Sequence, residues 1–424
     1  MAFKSFIDFY FFLIVLFASL FIGILFLYSS SFCVGFCDWV IWGDYFWFDS
    51  VSFYLGLLSI VLWLVMLFLS SSMSVFTIFV ISLSILCSVL SYSCVHSLLF
   101  WGFYEVSIFS LLLLLILDSP YSERYLAVWY LGGYMFLTGL PMLAILLYFS
   151  FLQGTFLFVN WDLDCDFSVI IMVILSILFM TKIPLFPFHS WLPVVHAEAS
   201  SVVSICLSGY VMKLGFLGIL RVCYVVLPDY VFSCFYYLLL LGVCVIFFFV
   251  CISELDGKRW LAFLSLCHMI TPVSCFSFGF FDGVDIGVVY CLGHGVAAGL
   301  IFVWLWLLSD ISGSRNWLII KNYISGFPLV RFLCVMCFGV ICSLPPLVQF
   351  FCEVSVVLLG LFYGIAFIVL FSVYLFCSGV VPLILLGTLL SNHYSVSYTG
   401  GFIYSGVNVI CLLLLWSFFM FLII

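Results

Sequence analysis

A polytopic, all-α bundle of membrane-spanning helices is the fold this sequence predicts, and three observations predict it. Hydrophobic residues make up 68% of the 424-residue chain and charged residues 7%, against roughly 25% charged in an ordinary soluble domain. Apolar runs long enough to cross a bilayer recur from end to end; a crossing needs about 20 such residues, because hydrocarbon offers backbone N–H and C=O groups no partner. Prolines and scarce ionisable side chains then fall together inside those runs, most densely in MTKIPLFPFHSWLPVVHAEASSV at 180–202.

The first apolar run, 9–28, is too long for a signal-peptide core, lacks a small-residue cleavage site and has no Arg- and Ser-rich transit character, so it reads as a mature span. Further spans are expected at 50–70, 75–92, 95–117, 126–150, 167–198, 200–221, 231–252, 259–281, 285–309, 329–362, 363–390 and 403–424, which makes thirteen. As straight helices, 167–198 and 329–362 would each be about 50 Å long against a hydrocarbon core of about 30 Å. Both contain helix breakers: Pro184, Pro187 and Pro193 in the first, Pro345 and Pro346 in the second. Proline-interrupted segments in two halves of a membrane chain point to inverted repeats with a functional site at the breaks. The plainer alternative is a pair of helices joined by a short loop at each place.

Loop charge separates these readings. With one crossing per segment, Lys4, Arg124, Lys258, Arg259, Arg315, Lys321 and Arg331 share the amino-terminal side, while Asp38, Asp44, Asp49, Asp162, Asp164, Asp166, Asp229, Asp282 and Asp285 fall opposite; only Arg221 is out of place. The positive-inside tendency then puts the amino terminus on the cytoplasmic or matrix side. Splitting either broken segment into two crossings spoils the pattern downstream. The chain accordingly divides into amino-terminal transmembrane helices at 1–94, a first half at 95–221 with Glu105, Lys182 and Lys213, a second half at 231–390 with His268, His294 and Glu353, and a final helix at 403–424.

Composition also excludes functions. The net charge of −8 and the absence of a basic stripe or Gly-rich phosphate loop argue against nucleic acid. The 19 cysteines are scattered through apolar runs, and Cys334 and Cys337, the lone C-x-x-C, lie inside an expected helix, so they read as packing residues and not as a metal or disulfide framework. His189, His196 and Glu198 make a poor zinc set because prolines break the helix that would align them; interfacial or supporting roles fit better. No nucleophile triad is visible.

What remains is a set of ionisable residues deep in the spans. Glu105, Lys213 and His294 fall near span centres and His268 somewhat shallower; Lys182 stands two residues before the first proline break and Glu353 seven after the second. A charge in mid-bilayer costs several kcal/mol, so it persists where it faces a bundle interior or a water-filled cavity, paired or functional. Six such residues in successive helices look like a proton relay. Desolvation disfavours a buried ammonium and a nearby carboxylate restores it, so moving Glu105 toward or away from Lys182 would switch proton binding. Histidines pass protons near neutrality, and a far carboxylate can release them.

At these residues the sequence resembles the antiporter-like, proton-pumping subunits of respiratory complex I, NADH:ubiquinone oxidoreductase. The stretch TKIPLFPFHSWLPVVHAEAS with Lys182, then YVMKLGFLGILR with Lys213, match the family's lysine helices; YEVS carries its glutamate at Glu105, and ELDGKRWLAFLSLCHM and CLGHGVAAGLIF supply His268 and His294. SLPPLVQFFCEVSVV carries Glu353, where the chain 4 branch has glutamate and chains 2 and 5 usually have lysine. The resemblance runs from about 95 to 360. Ser200 stands where proline is usual, Glu254 where glutamine is common and Cys352 where glycine usually precedes the glutamate. Family members commonly have fourteen helices, which suggests one fewer here, before the repeats.

The resemblance implies antiporter-like inverted repeats with two discontinuous helices and a pump without redox centres of its own. NADH, FMN, iron-sulfur clusters and ubiquinone belong to other subunits, and electron transfer there drives protons in at Lys182 and Glu105, through Lys213, His268 and His294, and out by Glu353. Partners implied are the neighbouring antiporter-like chains of the membrane arm and lipids such as cardiolipin. Heavy use of Phe (53) and Cys (19) with few Lys suits a T-rich coding strand; with no import signal this suggests a mitochondrial gene and the inner mitochondrial membrane, a bacterial plasma membrane being the alternative. The rivals in function are a sodium/proton antiporter subunit and a purely structural membrane subunit, which would leave the buried charges as costly passengers.

Overall fold

The computed structural model describes residues 40–42, 45–161, 166–223, 233–277, 281–361, 364–391 and 404–420. The span expected at 9–28 lies outside them; every expected span from residue 50 onward finds a helix or an interrupted pair. In chain order they are α1 (Ser50–Phe68), α2 (Val75–Ser93), α3 (Ser97–Asp118), α4 (Arg124–Gln153), α5 (Asp166–Lys182), α6 (Trp191–Glu198), α7 (Ser201–Val222), α8 (Cys234–Ser253), α9 (Gly257–His268), α10 (Ile270–Ser277), α11 (Phe281–Ser312), α12 (Trp317–Gly326), α13 (Pro328–Ile341), α14 (Val348–Gly360), α15 (Ile365–Leu390) and α16 (Tyr404–Phe419). Among the described residues nine helical runs are long and apolar enough to cross a membrane, α9 and α10 counting together as one of them. Among the described residues the only sheet in this otherwise helical chain is a short antiparallel ribbon, β1 (Val40–Trp42) with β2 (Phe46–Phe48), Val40 opposite Phe48.

Polar residues at the ends of the apolar runs set the boundaries. Asp49 caps α1 in a reciprocal box with Ser52, and Ser74, Asp256 and Asn316 accept the first free N–H groups of α2, α9 and α12. Gly154 closes α4 in the left-handed conformation. The prolines divide the two long segments as expected: α5 stops at Lys182 and α6 starts at Trp191, and α13 and α14 flank 342–347. At 1.5 Å per residue none of these four pieces reaches the roughly 30 Å of a hydrocarbon core, which favours one interrupted crossing for each pair. Besides the ribbon, two further features were not expected: a break at Met269, between α9 and α10, and the short helix α12.

Burial orders the helices from axis to rim. The apolar window of α7 is 100% buried and that of α11 89%, whereas those of α15 and α8 are 28% and 33% buried and present their apolar side chains outward, as lipid-facing helices do. Glycines let the axis close up. Gly295 and Gly299 of α11, whose spacing permits close packing, face Leu58 and Leu62 of α1, with a Cβ at Gly295 only 3.1 Å from the carbonyl of Gly209 on α7.

Gly218 of α7 lies against the fully buried Phe179 ring of α5, inside ordinary contact for any Cβ. Gly218→Ala is expected to cost about 1–3 kcal/mol through overpacking, read as a lower thermal midpoint in detergent. Gly242→Ala, where a Cβ meets open space, is expected to leave the midpoint unchanged or raised.

Candidate functional site

The first buried pair forms where α5 ends. Pro184 has no N–H to continue the helix, and Trp191 Nε1 takes up Thr181 O at 3.0 Å from across the break. Lys182, the last residue of α5, places its ammonium 3.7 Å from Glu105 Oε1 on α3, and the two side chains are 7% and 15% exposed. The Tyr104 ring stands 5.9 Å from the same ammonium. One turn before Glu105, Trp101 Nε1 donates to Gly139 O at 3.0 Å, locking α3 to α4. Gly139 leaves the carboxylate its space: a Cβ there would stand 2.7 Å from Glu105 Oε1.

The second cluster lies on the axis. Residues Leu207–Val211 of α7 form a π turn, a widening of the helix that recurs at functional sites, and the Lys213 ammonium folds back to donate to Ser208 O. The same nitrogen lies 3.1 Å from His294 Nδ1 on α11. The His294 and His268 rings are 5.7 Å apart between centroids, and both line a small cavity with Ser265 and Gln349. His268, at the end of α9, has Nδ1 at 3.1 Å from Tyr290 Oη and 3.3 Å from Tyr374 Oη. Tyr290 donates to Glu353 Oε1 at 3.3 Å and Ser343 to Glu353 Oε2 at 2.8 Å. Lys213, His268, His294 and Glu353 are all buried.

Of the six expected carriers, then, Glu105 and Lys182 form one group and Lys213, His294, His268 and Glu353 another; among the described residues no hydrogen bond joins the two. The residues missed are Tyr290, Tyr374, Thr271 and Ser343. Two carried a signal: Tyr290 precedes His294 by four residues and so shares its helix face, and Thr271 follows His268 by three in sequence, just across the break at Met269. Tyr374, on α15, and Ser343, in the second break, join only through the tertiary fold.

His189, His196 and Glu198 do not converge on a shared centre. His196 is fully buried with its ring stacked on Phe302 at 5.1 Å, while His189 packs against Phe186 and Phe247. At the end of α6, Lys258 donates to Ala199 O at 2.8 Å and Arg315 to Ala197 O, cations on the free carbonyls of a helix C-terminus. Arg315 also pairs with Asp256 at 3.5 Å and lies over the Tyr121 ring at 3.9 Å; burial pushes the Tyr121 phenol above its ordinary range, against the pull of Arg315. At the other end of α7, Arg221 clamps Asp49 with two contacts of 2.7 and 2.8 Å and donates to Tyr92 O at 2.9 Å. Its exception to the loop-charge pattern is thus balanced within the fold. Among the described residues no group of His, Cys, Asp and Glu is placed to hold a metal ion.

Interrupted helices around a line of buried ionisable groups define a membrane protein of the antiporter-like class. The profile of the family described as NADH:quinone oxidoreductase/Mrp antiporter, transmembrane, matches residues 94–378, and the chain belongs to that family. It is similar to NADH-ubiquinone oxidoreductase chain 4 of Locusta migratoria, 31% identical over 300 residues, 67% of this chain and 66% of that one; the match thus spans just under two thirds of the relative's length. In fold it is similar to a chain of respiratory complex I from Thermus thermophilus, with a TM-score of 0.82 at 20% identity over 95% of this chain and 90% of that chain. A chain of the Mrp complex from Dietzia gives 0.75 at 15% identity, over 89% and 81%.

Proposed function

We propose that this chain is a membrane-arm subunit of the chain 4 type in NADH:ubiquinone oxidoreductase, residing in the mitochondrial inner membrane and translocating protons as other subunits pass electrons from NADH to ubiquinone. The observation that carries this reading is the line from Lys213 through His294, His268 and Tyr290 to Glu353 along the buried axis. A structural subunit has no use for it. In this reading 95–221 is an entry half, in which Lys182 takes a proton beside Glu105 and hands it to Lys213, and 231–390 is an exit half ending on Glu353. The chain does no redox chemistry itself; FMN, iron-sulfur clusters and ubiquinone sit in other subunits. Its partners are the neighbouring antiporter-like chains, with cardiolipin around them and no nucleic acid.

The prolines of the first break then have a purpose. They expose backbone beside Lys182 where water can enter, which makes a mid-membrane ammonium tolerable and supplies it with protons. The likeness to the Mrp chain favours a second reading, a sodium/proton antiporter subunit. Blue-native separation of solubilised membranes, with mass spectrometry of the band holding this chain, tells them apart. Co-migration with flavin- and iron-sulfur-binding NADH dehydrogenase subunits is expected; migration with hydrophobic chains alone would put the antiporter first.

A further inference from the structure

We infer that the last internal proton step, from His268 to Glu353, runs through the Tyr290 hydroxyl itself and not through water. This rests on the pumping function proposed above and specifies its chemistry. The distances of 3.1 Å from His268 Nδ1 to Tyr290 Oη and 3.3 Å from that oxygen to Glu353 Oε1 are each one hydrogen bond long, which leaves no room for an intervening molecule. Tyr290 is fully buried.

Counting hydrogens sets the direction. A phenol has one proton to donate, and Tyr290 gives it to Glu353, so it meets His268 as an acceptor and His268 carries its proton on Nδ1. Transfer then breaks the His268 N–H bond as a new O–H bond forms on Tyr290, while the original Tyr290 O–H bond breaks and Glu353 gains the proton. Imidazolium and carboxylate become imidazole and carboxylic acid, with no other reactant. Afterwards Nδ1 holds a lone pair. Tyr374, 3.3 Å away and backed by Thr271 at 3.0 Å, can donate to it, so Nδ1 has a partner in both protonation states. Ser343 remains on the other carboxylate oxygen at 2.8 Å.

Upstream the arrangement differs. His268 Nε2 completes no hydrogen bond among the described residues and belongs to a ring that lines the cavity shared with His294, Ser265 and Gln349, about 10 Å³ in volume, near the lower bound for one water. Proton supply to His268 is the step with space for water; delivery from it is the dry one.

The test uses the assembled complex in proteoliposomes, with proton release measured per NADH oxidised. Tyr290→Phe is expected to lose the same fraction of release as Glu353→Gln, and Tyr290→Ser, whose smaller side chain admits water beside a hydroxyl, to regain at least half of it. Full release in Tyr290→Phe beside loss in Glu353→Gln overturns the tyrosine step and leaves the pump standing; full release in both overturns the pump. No recovery in an assembled Tyr290→Ser variant makes the ring's shape the requirement and also overturns the relay. Should Tyr290→Phe not assemble, infrared difference spectra of the wild-type complex with ring-labelled tyrosine decide. A tyrosine band changing together with the Glu353 carboxyl band supports the relay, and a carboxyl change with a silent tyrosine overturns it.

Discussion

Lys213→Met, in a complex that assembles normally, is expected to remove this chain's proposed share of NADH-driven proton release, and so is Lys213→Arg. In the proposed relay its ammonium is the member of the axial group that takes the proton from Lys182: it sits on α7, the most enclosed helix, and reaches His294 on α11 at 3.1 Å. Without a carrier there, a proton has to cross apolar packing as a bare charge, which costs about 3 kcal/mol at mid-membrane on the lower estimates. That is about a hundredfold in rate, at roughly 1.4 kcal/mol for each factor of ten. Methionine keeps the length and packing of lysine and loses the charge. Arginine keeps the charge and does not give up its proton, so it separates a carrier from a fixed cation that merely holds α7 against α11. Acidification of proteoliposomes, followed with a pH-sensitive dye as NADH is oxidised, is the measurement. An arginine variant that pumps like the wild type would show that Lys213 is structural, and the relay would have to run elsewhere.

Much of this fold was legible because hydrocarbon forces it: a chain with so little polar surface has to satisfy its backbone within helices, and length then counts the crossings. The breaks were legible for the same reason. Pro184 and Pro345 interrupt runs too long to be one straight helix, and Lys182 and Glu353 were conspicuous beside them because charges are rare and expensive there. The break at Met269 was hidden, since ITPVSCFS continues the apolar run and the residue before its proline is still helical. α12 was hidden because its apolar face is short and the chain around it reads as a loop. At the site, the ionisable members announced themselves by type, but Tyr290 is one of 23 tyrosines in a chain rich in aromatic residues. Only its spacing from His294 set it apart. Tyr374 and Ser343 had no signal, because the contact each makes depends on how α15 and the second break fold back on the axis. The division of the six expected carriers into a pair and a chain of four is likewise a matter of which helices touch.

Glu105→Gln and Lys182→Met are each expected to cut proton release strongly, with the double variant no worse than either alone. At 3.7 Å the two charges attract by about 4 kcal/mol with an effective dielectric constant near 20, and doubling their separation would halve that. A change of about 2 kcal/mol is worth more than a factor of ten in an equilibrium, so a small movement of α3 against α5 is enough to work as a switch. Two residues that act only through each other give a large coupling energy in a double-mutant cycle, whereas independent carriers give losses that multiply. Multiplying losses would break the pairing argument. Gly139→Ala supplies the finer test, because it removes no charge. Its new Cβ would stand 2.7 Å from Glu105 Oε1 and 3.0 Å from the carboxyl carbon, and the end of a glutamate side chain can move aside. The fold should therefore survive with a near-normal thermal midpoint, while the carboxylate is displaced from its place beside Lys182. Proton release intermediate between wild type and Glu105→Gln is the expected result. Release equal to wild type from a fully assembled Gly139→Ala complex would mean that the position of the carboxylate does not govern the lysine, and Glu105 would then act as a carrier in its own right.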